Sequence, residues 1–340
     1  MDGVPRPGIR GVAEATGLSV STVSRALNGY ADVNPDTRRR VEEAAERLGY
    51  RPSFAASVLR RSRTSTVTFM VSKPWTQFVD PLFLGVLDGV EQALARAGHD
   101  LQVVLARDHD GEIDVIRRVV ERRRCDALIF ARTRPEDERV DWLEGQGFPF
   151  VPIGQTRRNS HSWVDRDQAR VSRESVRRLA ARGHRRIALL STPLRYTYSE
   201  HGRDGYRQGL AEAGLSHDPG LEAECFLSRR TGAEVVAELL ATSGAPTALV
   251  CGNDMIALSA MEGLRARGLR PGLDVAMIGC DDVPLAAHLR PALTTFALDL
   301  EALGGRLADI LLGRLAGDAA PVREVLQARL VVRDSDGPTP

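Results

Sequence analysis

The first residues whose types and spacing suggest chemistry lie between positions 20 and 28. A helix over this span, at about 100° per residue, carries Val23 and Leu27 on one face. Its opposite face holds five polar side chains, which are Ser21, Thr22, Ser24, Arg25 and Asn28. Small hydroxyl residues permit close approach to a groove, and arginine can donate two hydrogen bonds to a guanine edge. The pattern is typical of a helix that reads the DNA major groove, and an ordinary amphipathic surface helix is the alternative.

Three short helices are predicted in residues 1–50. The first covers residues 9–16, Ser19 caps the second, and Asn34 caps the third with Pro35 in its first turn. Glycines that can end them are Gly17, Gly29 and Gly49. The apolar stripe of the third helix consists of Val41, Ala44, Ala45 and Leu48. We therefore expect residues 1–50 to form an all-α helix-turn-helix DNA-binding headpiece.

Positive charge is concentrated in the N-terminal segment of the chain. The net charge is only +1, but residues 1–63 contain 11 arginines and 7 acidic residues, which makes them +4. The remaining residues then carry a net charge of −3. A basic N-terminal segment on a mildly acidic body fits a small nucleic-acid module joined to a second function.

After residue 65 the sequence alternates between strand-like and helical patterns. The strand-like runs are 66–71, 101–105, 126–130, 149–153, 186–190, 247–251 and 274–279. The helical patterns are 82–97, 112–123, 168–182, 204–213, 231–242 and 254–267. Such alternation predicts parallel sheets with helices on both faces, and the number of strands favours two similar α/β lobes. Ligands of such folds bind at the carboxyl ends of the strands, so we expect a cleft between the lobes.

The headpiece resembles that of the Lac repressor (LacI/GalR) family. The similarity lies in GVAEATGLSVSTVSRALNG and in VNPDTRRRVEEAAERLGYRPS, and Gly11 departs from the aspartate usual at its position. The resemblance implies that Val20, Ser21 and Arg25 read base edges. It also places four residues near phosphates, namely Ser19, Thr22, Ser24 and Asn28.

Residues 51–64 resemble the hinge helix and linker of the same family. The resemblance implies that Leu59 wedges into the minor groove and kinks the DNA, while packing of Leu59 against the core is the alternative. Ala55 and Ala56 are small enough for two hinge helices to meet over the groove. So short a helix is not stable alone, and we expect it to order only on operator DNA, in a homodimer. The implied operator is a palindrome with a central CG step.

The resemblance continues to the end of the chain, which implies a periplasmic-binding-protein-like core of two lobes. The matching segments include DPLF, GHRRIA, RDGY, the Asn253-Asp254 pair and the Asp281-Asp282 pair. Arg203, Asn253 and Asp281 are thereby implied to contact ligand hydroxyls. We expect Asp254 and Asp282 to cap helices rather than to touch ligand. For stacking on the ligand the candidates are Phe83 and Trp163, with core packing as the alternative.

The expected lobe boundaries follow the same resemblance. Lobe 1 spans about 65–167 and 299–325, and lobe 2 spans about 168–298 and 326–340. The segments RTRPEDERVDWL, GFPFVPIGQT and SWVDRD are similar to family members tied to α-glucoside uptake. A sugar effector is therefore expected, and a purine or another small effector is the alternative.

Other classes of protein fit the sequence less well. No phosphate loop, dinucleotide fingerprint, nucleophile elbow or metal-spaced ligand set is present, so we expect neither an enzyme nor a cofactor. The four cysteines are scattered, which favours reduced, buried thiols. The N-terminus has no apolar signal region and no run is long enough to span a membrane, which favours the cytoplasm over a secreted sugar-binding protein.

Overall fold

A computed structural model describes residues 8–27, 30, 32–50, 64–72, 81–106, 111–225 and 231–338. The chain divides into two compact units, residues 1–64 and residues 65–340. In the described parts of the chain, no helix is both long and apolar enough to cross a membrane. The predicted hinge helix lies outside the described residues.

The N-terminal unit contains three helices in its described residues. They are α1 (Ile9–Thr16), α2 (Val20–Leu27) and α3 (Pro35–Arg47). The Ser19 hydroxyl accepts the Thr22 backbone N–H at 3.1 Å, and the Asn34 side chain accepts the Asp36 N–H at 2.9 Å. Both caps satisfy backbone donors that a helix start leaves without a partner. Gly17 ends α1 with φ of +66°, a conformation that favours glycine.

The core of this unit is small and formed by one apolar face from each helix. Val12, Val23 and Val41 are each fully buried and represent α1, α2 and α3 respectively. Leu27 and Leu48 pack against the same cluster. The predicted apolar faces are therefore the ones that the fold buries.

The first lobe is built on a parallel six-stranded sheet in the order β11-β5-β4-β3-β1-β2. Its strands are β1 (Thr66–Ser72), β2 (Asp100–Ala106), β3 (Ala127–Ala131), β4 (Phe150–Ile153), β5 (Trp163–Arg166) and β11 (Arg323–Leu326). Its helices are α4 (Pro81–Arg96), α5 (Glu112–Glu121), α6 (Glu138–Gly145) and α11 (Leu300–Ala316). Along β3, Ile129 packs on one face of the sheet and Phe130 on the other, as expected for a strand covered on both sides.

The second lobe repeats this arrangement on a smaller parallel sheet, in the order β7-β6-β8-β9. Its strands are β6 (Ile187–Ser191), β7 (Glu222–Glu224), β8 (Ala248–Cys251) and β9 (Ala276–Ile278). Its helices are α7 (Gln168–Ala181), α8 (Thr197–Glu212), α9 (Gly232–Leu240) and α10 (Asp254–Arg265), with short 3₁₀ turns at Pro219–Leu221 and Pro284–His288. Leu189 and Leu190 face opposite sides of β6, so both faces of this sheet are also buried.

The chain passes between the two lobes at three places among the described residues. These lie between β5 and α7, between β10 (Thr295–Ala297) and α11, and between β11 and β12 (Arg329–Val331). β10 and β12 pair antiparallel beside the second lobe. Helix α11 returns to pack closely on α4. A Cβ atom at Gly304 would lie only 2.2 Å from the Val86 carbonyl oxygen. A side chain at position 304 would therefore push the two helices apart.

Candidate DNA-binding surface and ligand cavity

The polar face of α2 is exposed, as a groove-reading surface requires. Val23 and Ala26 are buried, Ser21 and Arg25 are exposed, and Val20 is 42% exposed. Val20 thus presents an apolar side chain to solvent at the first turn of α2. This is a suitable position for contact with a thymine methyl group.

Hydrogen bonds within this surface order its side chains. The Ser19 hydroxyl lies 2.8 Å from the hydroxyls of Ser21 and Thr22. The Arg25 guanidinium pairs with Asp32 and lies 5.3 Å from the centre of the Tyr30 ring. These contacts hold Arg25 at the exposed side of the helix. The other expected DNA contacts, Asn28, Ala55, Ala56 and Leu59, lie outside the described residues.

A cavity of about 170 Å³, partly open to solvent, lies between the two lobes of residues 65–340. Each sheet contributes the residues that follow its strands, because the carboxyl ends of both sheets face this space. The first lobe supplies Phe83, Val86, Ala131, Arg132, Ile153, Asp165 and Arg166. The second lobe supplies Gln168, Thr192, Tyr198, Gly252, Asn253 and Asp281, the crossing segment adds Leu298, and α11 of the first lobe adds Leu300 and Leu303. An apolar lining with a few convergent polar groups is typical of a small-molecule site.

An ion pair joins the lobes across this cavity. Arg166, at the end of β5, donates to Asp281 of the second lobe at 2.5 Å and to Gln168 at 2.9 Å. Both charged side chains are largely buried, with 17% and 8% exposed. Burial raises the pKa of Asp281, and the neighbouring Arg166 opposes that shift. A ligand hydroxyl group entering here would meet both a donor and an acceptor.

The backbone at Asp281 and Asp282 is held in an unusual conformation. Their φ angles are +121° and +51°, a region that residues with a Cβ seldom adopt. The Asp281 N–H donates to the Phe296 carbonyl at 2.8 Å, and Arg333 donates to the Asp282 carboxylate at 2.6 Å. These bonds, from β10 and from a residue that follows β12, fix the loop, and strain of this kind is common at ligand sites.

The expected capping roles of Asp254 and Asp282 are wrong. Asn253 caps α10 by accepting the Ile256 N–H at 2.9 Å, while Asp254 is the first helical residue. The Asp254 carboxylate instead accepts the Val283 N–H at 3.0 Å and the Thr295 hydroxyl at 2.6 Å. The pKa of Asp254 is raised to about 7, mainly by burial and secondly by the charge of the nearby Asp281. Through these hydrogen bonds the Asp254 carboxylate stabilises the strained loop that contains Asp281 and Asp282.

The structure brings together three of the five residues expected to bind ligand. Phe83, Asn253 and Asp281 line the cavity, and Phe83 meets the Phe69 ring edge-on at 5.1 Å between centroids. Trp163 is 5% exposed at the start of β5, away from the carboxyl end, and its indole N–H donates to Asn159. The burial of Trp163 agrees with the alternative in which this side chain packs in the core.

Arg203 also lies apart from the cavity lining. It projects from α8, and its Nε is buried without a hydrogen-bond partner in the described residues. The polar cavity residues that were not predicted from the sequence are Arg132, Asp165, Arg166, Gln168, Thr192 and Tyr198. Asp165 and Arg166 would have been found had the short run 163–166 been predicted as a strand.

The loop between β3 and α6 is shaped by a buried ion cluster. Arg139 is fully buried and donates to both carboxylate oxygens of Asp137, at 2.8 and 2.6 Å, and to Glu112 at 2.9 Å. Its guanidinium also donates to the carbonyls of Ala131 and Arg132 at 3.3 and 3.0 Å. Those two carbonyls belong to cavity-lining residues, so the cluster supports the wall of the cavity from outside.

The two carboxyl groups of this cluster differ in the direction in which their pKa values are shifted. Burial raises the pKa of Glu112. Burial also favours the neutral form of Asp137, but the hydrogen bonds from Arg139 outweigh it and lower the pKa of that carboxyl. Asp137 is therefore ionised, which stabilises the Arg139 cation in a site without solvent.

Comparisons with known proteins agree with both parts of this description. Residues 8–53 match the family described as bacterial regulatory proteins, lacI family, and residues 176–335 match a periplasmic binding protein-like domain. The HTH-type transcriptional regulator CelR of Thermobifida fusca is 33% identical over 97% of this chain and 98% of its own.

Solved structures give the same result. The complex of the transcriptional regulator CelR with cellobiose superposes with a TM-score of 0.75 at 31% identity, covering 97% of this chain and 100% of that one. The Lac repressor dimer bound to operator and the anti-inducer ONPF gives a TM-score of 0.83 at 26% identity, covering 96% and 98%. The chain belongs to the LacI family of DNA-binding transcriptional regulators.

Proposed function

We propose that this regulator binds a palindromic operator as a homodimer and that an uncharged sugar in the interlobe cavity controls its affinity for DNA. The observation that carries the proposal is the cavity itself, which joins both lobes through the Arg166–Asp281 pair. A ligand that engages Asp281 must change the contact between the lobes, and such a change can be transmitted to a DNA-binding unit. A coupling of about 1–3 kcal/mol is ordinary for allosteric regulators.

The headpiece supports the first half of the proposal. Its exposed α2 face offers Arg25 and the hydroxyls of Ser21 and Thr22 to a major groove. We propose Val20, Ser21 and Arg25 as base-reading residues. Ser19, Thr22, Ser24 and Asn28 are proposed phosphate contacts, and Ala55, Ala56 and Leu59 remain the proposed minor-groove contacts of the hinge.

An apolar edge of the first lobe supports the homodimer. β2 is the last strand of the sheet, and its Val103 and Leu105 side chains are each 40% exposed. Leu84, on the neighbouring helix α4, is 58% exposed. An exposed strand edge beside apolar side chains favours contact with another chain. Two identical subunits would present two recognition helices to two half-sites.

The sugar effector is supported by the composition of the cavity and by one relative. Carboxylate, amide and guanidinium groups next to apolar walls suit a ligand with many hydroxyls and apolar ring faces. A related regulator is known in complex with cellobiose. We propose Phe83, Asn253 and Asp281 as ligand contacts and leave out Trp163 and Arg203. Calorimetry with cellobiose and maltose separates a β-glucoside effector from the α-glucoside that the sequence resemblance favours.

The proposed organisation keeps the boundaries expected from the sequence. Residues 1–50 form the headpiece, 51–64 the hinge and linker, and 65–340 the effector-binding and dimerisation core. Within the core we propose lobe 1 at about 65–167 and 299–325, and lobe 2 at about 168–298 and 326–340. Regulation of transcription in the cytoplasm, rather than catalysis, is the role that this organisation supports.

Replacing Arg25 by alanine is expected to weaken operator binding about 10–100-fold and to relax the base preference at one position of each half-site. The reason is that an arginine bound to two acceptors of a guanine contributes about 1–3 kcal/mol of discrimination. Fluorescence anisotropy with the selected operator and single-base variants measures both effects. Arg157→Ala, which removes a 65%-exposed arginine of the core, is the control. Equal base preference in the Arg25 variant and its parent would contradict this assignment.

A further inference from the structure

Asp165 is a buried carboxyl group in the cavity that the Arg166–Asp281 pair leaves incompletely bonded. It is 4% exposed and lines the cavity at the carboxyl end of β5. Its Oδ1 accepts the Arg166 backbone N–H at 2.8 Å. Its Oδ2 is buried and makes no hydrogen bond of normal geometry with the described residues, although the Gln155 side chain lies near enough to favour the ionised form of the carboxyl. The Arg166 guanidinium is directed to Asp281 and Gln168 instead.

Without a ligand, the buried and unbonded Oδ2 of Asp165 destabilises the folded protein. A buried acceptor without a donor loses its hydration and gains nothing in return. Burial raises the pKa of Asp165 to about 6, although the nearby His201, Arg166 and Gln155 favour the ionised form. The carboxylate is thus mostly charged at neutral pH.

A second buried carboxyl, Asp336, differs in this respect. It is 1% exposed, and both of its oxygens are bonded, one to the Thr294 hydroxyl and the other to Arg178 and Arg182. It also does not line the cavity. The open oxygen of Asp165 is therefore not a general property of buried carboxylates in this chain.

We propose that Oδ2 of Asp165 accepts a hydrogen bond from a ligand hydroxyl and so makes Asp165 a specificity-determining residue for uncharged, hydroxyl-rich ligands. The inference rests on the proposed function of the cavity. A phosphate or carboxylate group at this end would face a carboxylate at low dielectric and be repelled. A hydroxyl group supplies a donor of normal hydrogen-bond geometry to Oδ2, and its oxygen can accept from a neighbouring donor.

The test uses Asp165→Asn, which keeps the shape of the side chain and removes its charge. Cellobiose, maltose and glucose 6-phosphate are titrated into the full-length parent and variant by calorimetry. The sugar that binds the parent is expected to bind the variant roughly 10–100-fold more weakly, because a hydrogen bond to a charged group is lost. Glucose 6-phosphate is expected to bind the parent more weakly than the neutral sugars.

Thermal unfolding without ligand separates this role from a structural one. The folded-state pKa of Asp165 lies above that of an unfolded chain, so its charge destabilises the fold increasingly as pH rises from about 4 to about 6 and fully above that. Asp165→Asn is expected to raise Tm at pH 7.5 while weakening sugar binding. Asp336→Asn, the matched control, is expected to lower Tm and leave sugar affinity unchanged.

The pH profile gives a further readout. The parent is expected to lose sugar affinity as pH falls through about 6, because protonated Asp165 is a weaker acceptor. Asp254, Asp281, Cys280 and His201 remain in the variant, so the difference between the two profiles isolates Asp165. Failure of the parent to bind any of the sugars would overturn the proposed function and this inference with it. Binding by the parent with equal affinity and an equal pH profile in Asp165→Asn would overturn this inference alone.

Discussion

Replacing Arg139 by methionine is expected to lower the free energy of unfolding of the core by about 3–5 kcal/mol. The guanidinium is fully buried and bonds to Asp137, Glu112 and the carbonyls of Ala131 and Arg132. Its removal leaves the Asp137 charge buried without its ion-pair partner beside carbonyls that have lost their donor, while Glu112 keeps its pair with Arg134 at 2.8 Å, and unpaired buried charge is expensive. Methionine fills a similar volume, so the loss reflects charge and hydrogen bonding rather than a cavity.

Thermal or urea unfolding of the full-length protein measures this effect. A loss of this size corresponds to a fall in Tm of roughly 10 °C for a unit of this size. Arg157→Met is the control, because its ion pair with Glu136 is exposed at both ends, and its expected change is below about 1 kcal/mol. A change in Arg139→Met no larger than that of the control would show that the buried cluster contributes little to stability.

Replacing Asp281 by alanine is expected to reduce effector affinity by about a hundredfold or more and to abolish the response of DNA binding to sugar. The substitution removes a ligand acceptor and leaves the Arg166 cation, which is only 17% exposed, without its partner. Loss of a charged hydrogen bond contributes about 1.5–3 kcal/mol, and the displaced arginine adds to it. Sequence-specific operator binding without sugar is expected to persist, because the headpiece is unchanged, but at an altered affinity, because the Arg166–Asp281 pair that joins the lobes is lost.

Calorimetry with sugar and anisotropy with operator measure these two properties separately. Asp274→Ala is the control, since Asp274 pairs with Arg270 at a turn that does not line the cavity. An Asp281 variant that binds sugar as tightly as its parent and still responds to it would exclude Asp281 from the effector site.

The headpiece could be predicted from the sequence because its signals are local. The Ser19 and Asn34 caps and the apolar face of α2 occur in the structure where the sequence places them. Helix α2 is described as far as Leu27, and the predicted last residue of this helix, Asn28, lies outside the described residues.

The core was predicted less completely, because some of its elements have weak local patterns. Helix α8 begins at Thr197, against a predicted start at 204, since its first turns contain glycine, serine and histidine rather than an apolar stripe. β5 spans only four residues and includes two charged ones, so alternation could not reveal it. It is a strand because it adds to the sheet between β4 and β11, which is a contact distant in sequence.

The cavity residues also differ in whether local sequence patterns predict their positions. Asn253 and Asp281 follow strands that the sequence predicts, and their place at the cavity follows from the parallel sheet. Asp165 and Arg166 depend on β5 and on pairing across the lobes, which no local pattern encodes. Trp163 begins that strand, whereas Asp165 and Arg166 at its other end line the cavity, so aromatic character alone could not separate stacking on a ligand from core packing.

We propose that a DNA-reading headpiece is coupled to a sugar-binding cavity in one chain. Selection of bound fragments from the genome that encodes the protein, by the purified full-length protein at moderate salt, tests it most directly. We predict enrichment of a short palindrome with a central CG step, and a change in the bound fraction when cellobiose or maltose is added. Enrichment of no sequence, with or without these sugars, would contradict the account.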